Sequence, residues 1–62
     1  MEPLDFRDKW EITNEQIARL LDLSVGHVNC WFFKASAVRY RVPEDKHKRR
    51  LAEIDFNWTQ VI

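Results

Sequence analysis

Apolar and charged residues alternate in short runs along the chain, and their spacing predicts four helices. In residues 3–11 the apolar members are Leu4, Phe6 and Trp10; Phe6 and Trp10 lie four apart and share a face. Pro3 suits the first turn of a helix, where a missing N–H costs nothing. Asp5, Arg7, Asp8 and Lys9 are expected in solvent, which makes this helix structural. Residues 14–22 carry a broad stripe of Ile17, Ala18, Leu20 and Leu21. Thr13, with Gln16 three positions later, forms a capping box at the start of that stripe. Glu15 and Arg19, four apart, are expected to pair on its outer side. Asp22 stands where the chain must turn, and Asp tolerates the left-handed conformation better than most residues. Leu23 plugs the corner, and Ser24 is a natural N-cap for the next helix.

A third helix is expected over residues 25–35. Val28, Trp31, Phe32 and Ala35 gather on its core side, with Val25 at the edge. Gly26, Asn29, Cys30 and Phe33 then face outward, flanked by His27 and Lys34. Residues 35–42 leave this period and alternate. Val38, Tyr40 and Val42 fall on one side and Arg39 and Arg41 on the other, as in an extended loop pinned by Tyr40. Pro43, followed by Glu44 and Asp45, marks the start of a fourth helix. There His47, Leu51, Ile54 and Trp58 share a face, which Val61 and Ile62 continue if the helix persists. Lys46, Arg49 and Arg50 lie opposite, with Lys48 at the flank. Phe56 falls off the stripe and is a candidate dimer contact. The reading is an all-α, compact four-helix domain over residues 1–62, with a helical corner at about 13–34 and a basic loop and final helix at 35–62.

Composition sharpens this picture. Sixty-two residues make one domain, and a chain this short buries only about 60% of its unfolded surface. Three Trp, four Phe and one Tyr are the large side chains that compensate for so few core positions. One Gly and two Pro argue against a loop-rich or all-β domain. Cys30, the single cysteine, excludes an internal disulfide framework and fits a reducing compartment. No stretch approaches the roughly 18 apolar residues of a membrane span, and Met-Glu-Pro-Leu-Asp lacks the features of a signal peptide. A cytoplasmic protein without a membrane partner is expected.

Net charge is zero, but it is segregated. Residues 1–33 hold three basic and six acidic side chains. Residues 34–50 hold seven basic side chains, namely Lys34, Arg39, Arg41, Lys46, Lys48, Arg49 and Arg50, against Glu44 and Asp45. A neutral chain can therefore present a basic surface.

Catalytic and metal chemistry find little support. His27 and Cys30 lie three apart on a helix, but a structural zinc site needs four ligands and only His47 remains as a further donor of that kind. Cys30 as a nucleophile would need an activating base and an oxyanion site. One glycine cannot make a phosphate-cradling loop. No enzyme activity, metal or cofactor is expected.

The run T-N-E-Q-I-A-R-L-L-D-L-S-V-G-H-V-N-C-W-F-F at 13–33 resembles the helix-turn-helix of phage repressor and Cro-type proteins. Ala18 gives the close helix contact, and Leu23, Val28 and Trp31 are the apolar pins. The likeness covers about a third of the chain, and the family usually has Gly where this chain has Asp22. It implies double-stranded DNA as partner, with the outer face of the third helix in the major groove. Asn29 would read a base edge, with Gly26 and Phe33 contacting the groove. Ser24, Lys34, Arg39, Arg41 and the cluster Lys46, Arg49 and Arg50 would hold phosphates, while His27 and Cys30 flank the reading face. R-Y-R-V-P-E-D at 39–45 is also similar to the segment after the wing in excisionase and mercury-regulator-type domains. Such a module would serve a small transcriptional regulator or a phage or mobile-element protein, with dimerisation or a partner needed for useful specificity. The alternative is a protein-interaction module on the same scaffold, using an apolar patch of Phe33, Cys30 and Phe56.

Overall fold

The computed structural model describes residues 1–61, and among these it is all-α, with four helices and no strand. They are α1 (Pro3–Trp10), α2 (Asn14–Leu21), α3 (Val25–Asn29) and α4 (Asp45–Val61). No described helix is long and apolar enough to cross a membrane.

Local chemistry fixes the first three helices. Pro3 opens α1, and the chain reverses at Glu11 in the left-handed conformation (φ 51°, ψ 48°). The capping box at α2 is complete. Gln16 N–H donates to Thr13 Oγ1 at 3.1 Å, and Thr13 N–H donates to Gln16 Oε1 at 2.8 Å. Asp22 closes α2 in the left-handed conformation (φ 57°, ψ 46°), and Leu23 N–H returns to the Ala18 carbonyl at 2.8 Å. That return bond satisfies a carbonyl the helix would otherwise leave open. Ser24 Oγ then accepts from His27 N–H at 3.1 Å, capping α3.

Three expected boundaries change. First, α3 ends at Asn29 rather than 35. Trp31 N–H bonds Val28 O and Phe32 N–H bonds Asn29 O, so the chain tightens into i→i+3 turns. Trp31 remains buried, Phe32 is half-buried, and Ala35, expected in the core, is exposed. Second, residues 35–42 do not extend. Ala37 N–H bonds Lys34 O and Tyr40 N–H bonds Ala37 O, a pair of successive turns. The alternation buries nothing, since Val38 and Val42 are 94% and 68% exposed and Tyr40 alone is half-buried. Third, α4 begins at Asp45. Glu44 O accepts from both His47 N–H and Lys48 N–H, while Pro43 is buried one residue ahead of it. Proline's fixed φ serves the approach to the helix here, not its first turn.

Phe6, Ile17, Ala18, Val28, Trp31, Leu51 and Ile54 form the core, drawn from every helix and from the turn after α3. At the C-terminal end of α4, Trp58 packs on Phe6 at 5.5 Å and edge-on against Trp10 at 5.1 Å between ring centroids. Asp55 locks this seam by accepting from Trp10 Nε1 at 3.0 Å and pairing with Lys9 at 2.8 Å. The Lys9 hydrogen bond, supported by Trp10, holds the Asp55 carboxyl below its ordinary pKa. Lys9, expected in solvent, therefore ties α1 to α4. Glu2 and Lys48 pair at 3.0 Å, joining the start of α1 to the first turns of α4. Val61 lies 86% exposed, so the apolar face of α4 stops contributing after Trp58. Ile62 lies outside the described residues.

A domain of this length has a total stability of about 3–9 kcal/mol. Leu51→Ala, at a fully buried position, is expected to remove about 2–5 kcal/mol. Urea unfolding followed by tryptophan fluorescence would show the midpoint drop. An unchanged midpoint would contradict this core.

Candidate functional site

Two surfaces around α3 gather the residues singled out in the sequence. Its outer side carries Ser24, Val25, Gly26 and His27, all exposed. Gly26 is not required by the fold. Its φ is not positive, and a Cβ placed on it would meet nothing within 4 Å. A helical glycine without a local reason costs about 0.5–1 kcal/mol relative to alanine.

Asn29 is less free than its helical position implies. Its Oδ1 accepts from Asn14 Nδ2 at 3.0 Å, and Asn14 Oδ1 accepts in turn from Arg7 Nη1 at 3.0 Å. Arg7 also lies over the Phe32 ring at 4.2 Å. The chain Arg7–Asn14–Asn29 thus crosses α1, α2 and α3 and fixes the Asn29 amide with Nδ2 left to donate. Sequence reasoning missed Arg7 and Asn14. Arg7 looks like one more solvated charge, because its partners lie on other helices and no short-range spacing announces them.

The second surface is a cleft of about 320 Å³ lined by His27, Cys30, Trp31, Arg41, Val42 and Glu44. Arg41 N–H donates to Cys30 O at 3.0 Å, which folds the loop back on the end of α3. The Arg41 guanidinium donates to Val38 O at 3.3 Å and Tyr40 O at 3.0 Å, so it braces the loop's own carbonyls. His27, Trp31 and His47 form a triangle of rings with centroids 5.5–5.7 Å apart. Burial pushes the His47 imidazole below its ordinary pKa. Lys46 and His27 act in the same direction, and Glu44 opposes them.

Of the other basic residues at 34–50, Lys48 is half-buried and the rest are exposed. Lys34 and Arg39 sit in the loop, and Lys46, Arg49 and Arg50 follow helical spacing along α4. Lys46 pairs with Glu44 at 3.4 Å and Arg50 with Glu53 at 3.1 Å. Lys34, Arg39 and Arg49 make no ion pair among the described residues. Phe33 is 39% exposed and Phe56 is 64% exposed. Among the described residues, no three His, Cys, Asp or Glu side chains are placed to hold a metal ion.

The lowered His47 pKa makes stability depend on pH. Above the unfolded imidazole value of about 6.5 both states are neutral. Below it the unfolded chain takes up the proton first, so stability falls as pH drops toward the folded value. Thermal unfolding across this range should show the decline, and His47→Gln should flatten it. An equal decline in the variant would assign the effect elsewhere.

No protein-family model matches the chain, and no curated protein or solved structure does so either.

Proposed function

We propose that this domain binds double-stranded DNA as a helix-turn-helix, with α2 and its turn supporting α3 in the major groove. The carrying observation is Gly26, an exposed helical glycine that no contact within the fold requires. A glycine kept at a cost in so small a domain fits a partner whose backbone or groove wall comes close to α3. The capped corner, with Thr13, Asp22 and Ser24 each in its expected geometry, supports the same reading. In this reading Asn29 donates through Nδ2 to an acceptor on a base edge, since its oxygen is already engaged. Phosphates are met by Lys34, Arg39, Lys46, Arg49 and Arg50, and Arg41 shapes the loop that presents Arg39. The role is binding alone, in a small cytoplasmic transcriptional regulator or a phage or mobile-element protein. Two copies would cover a two-part site.

The exposed rings of Phe33 and Phe56 favour a second reading, a protein contact through an apolar patch.

Gly26→Ala separates the fold from the interface. It is expected to stabilise the protein by about 0.5–1 kcal/mol while weakening DNA binding several-fold. Thermal unfolding and fluorescence anisotropy with a labelled duplex read the two effects. Arg49→Ala with Arg50→Ala should weaken binding to all sequences and reduce the salt slope by about one for each phosphate no longer neutralised. Wild-type protein that stays folded yet ignores duplex at low salt would refute the proposal. Loss of a protein association on Phe33→Ser alone would favour the second reading.

A further inference from the structure

The chain of hydrogen bonds that ends on Asn29 runs in a forced direction. We infer, resting on the DNA reading of α3, that Arg7 and Asn14 set the base preference of Asn29. They make it select a base whose major-groove edge offers acceptors and no donor, guanine or thymine.

Direction starts at Arg7. A guanidinium carries five N–H donors and no acceptor, and it keeps its charge in proteins. Arg7 Nη1 can therefore only donate, and Asn14 Oδ1 accepts from it at 3.0 Å. With its oxygen so engaged, Asn14 turns Nδ2 toward α3, where Asn29 Oδ1 accepts at 3.0 Å. Turning the Asn29 amide over would set its N–H₂ against that of Asn14, donor facing donor. The Phe32 ring holds the origin of the chain, its centroid 4.2 Å from Arg7 Cζ. Arg7, Asn14 and Asn29 are all half-buried, which strengthens these bonds relative to an open surface. The outer end is open. Asn29 Nδ2 has no hydrogen-bond partner among the described residues, and no buried side-chain nitrogen or oxygen among them lacks one. Its N–H₂ therefore reaches solvent.

Guanine presents O6 and N7 in the major groove and thymine presents O4, all of them acceptors. Cytosine presents the N4 donor, which would face the Asn29 donor, and adenine presents one group of each kind. A free asparagine suits adenine through both ends of its amide. Asn29, with its oxygen on Asn14, favours guanine or thymine instead.

Asn14→Asp reverses the chain without removing it. The carboxylate still accepts from Arg7, and it repels the Asn29 oxygen until that amide turns over and presents Oδ1 outward. An acidic residue also suits the first turn of α2.

The test selects preferred duplexes from a randomised pool, using the whole chain and its variants. Asn29→Ala identifies the position that depends on the amide. There the wild type should favour guanine or thymine over cytosine by roughly three- to tenfold, the worth of one hydrogen bond. Asn14→Asp should invert the order to cytosine over guanine, and Arg7→Ala should flatten it. A purely structural role for the chain would weaken binding at every position alike. The proposal is overturned if the wild type favours cytosine or adenine at that position, or if no position depends on Asn29. It is equally overturned if folded Asn14→Asp keeps the wild-type order. The wild-type preference decides the matter even if the variants at 7 or 14 fail to fold. Failure to bind any duplex at low salt refutes the DNA reading and this inference with it, whereas binding with the wrong base refutes this inference alone.

Discussion

Among the described residues, a core cluster of seven buried side chains holds four helices together. Such a set succeeds only if its members reach across helices, which is why aromatic size matters here. Phe6, wholly buried, reaches Trp58 near the far end of α4. Trp31, lying beyond the end of α3, packs against His47 in the first turn of α4. Long α4 thus acts as a rail, with α1 held along it by the Trp10–Asp55–Lys9 lock. The α2–α3 corner reaches it through Trp31 and the shared core. The short α3, only five residues, would not persist alone. Its Ser24 cap, the burial of Val28 and the turns that carry Trp31 inward keep it in place.

Sequence reasoning recovered what short-range chemistry decides. Thr13 with Gln16, Asp22, Ser24 and the Glu15–Arg19 pair each involve neighbours within four residues, and each appears with the expected geometry. The apolar stripe of α4 was equally legible through Trp58. The failures share a cause. Helical periodicity cannot show where a helix stops when the next apolar residues can be buried by a turn, and Trp31 and Phe32 continue the pattern after α3 has ended. The alternation at 35–42 had no second strand to pair with, so turns closed by local hydrogen bonds replaced it. Pro43 was compatible with both the first helical turn and the residue before the cap, and burial of its ring accompanied the second.

The candidate site was legible as a set of residues but not as an arrangement. His27, Cys30 and Arg41 share a cleft, yet Arg41 directs its guanidinium to loop carbonyls. A charge that looks free in one dimension can be committed to backbone oxygens in three. Arg39, two positions earlier, is exposed and makes no ion pair among the described residues. Gly26 shows the reverse case. The open space around it, which no sequence reading supplies, shows that the fold itself does not require a glycine there.

The hydrogen-bonded chain from Arg7 through Asn14 to Asn29 has a consequence for which substitutions this domain accepts. The Asn14 amide uses both ends, accepting from Arg7 and donating to Asn29, so direction runs along the chain. Asp at 14 could still accept from Arg7 but would set a carboxylate against the Asn29 oxygen. Leu at 7 would leave the Asn14 oxygen without its partner. Positions 7, 14 and 29 are therefore coupled through their hydrogen bonds, and a substitution at any one changes what the next can donate or accept. A guanidinium on α1 thereby helps to fix the orientation of an amide on α3, two helices away.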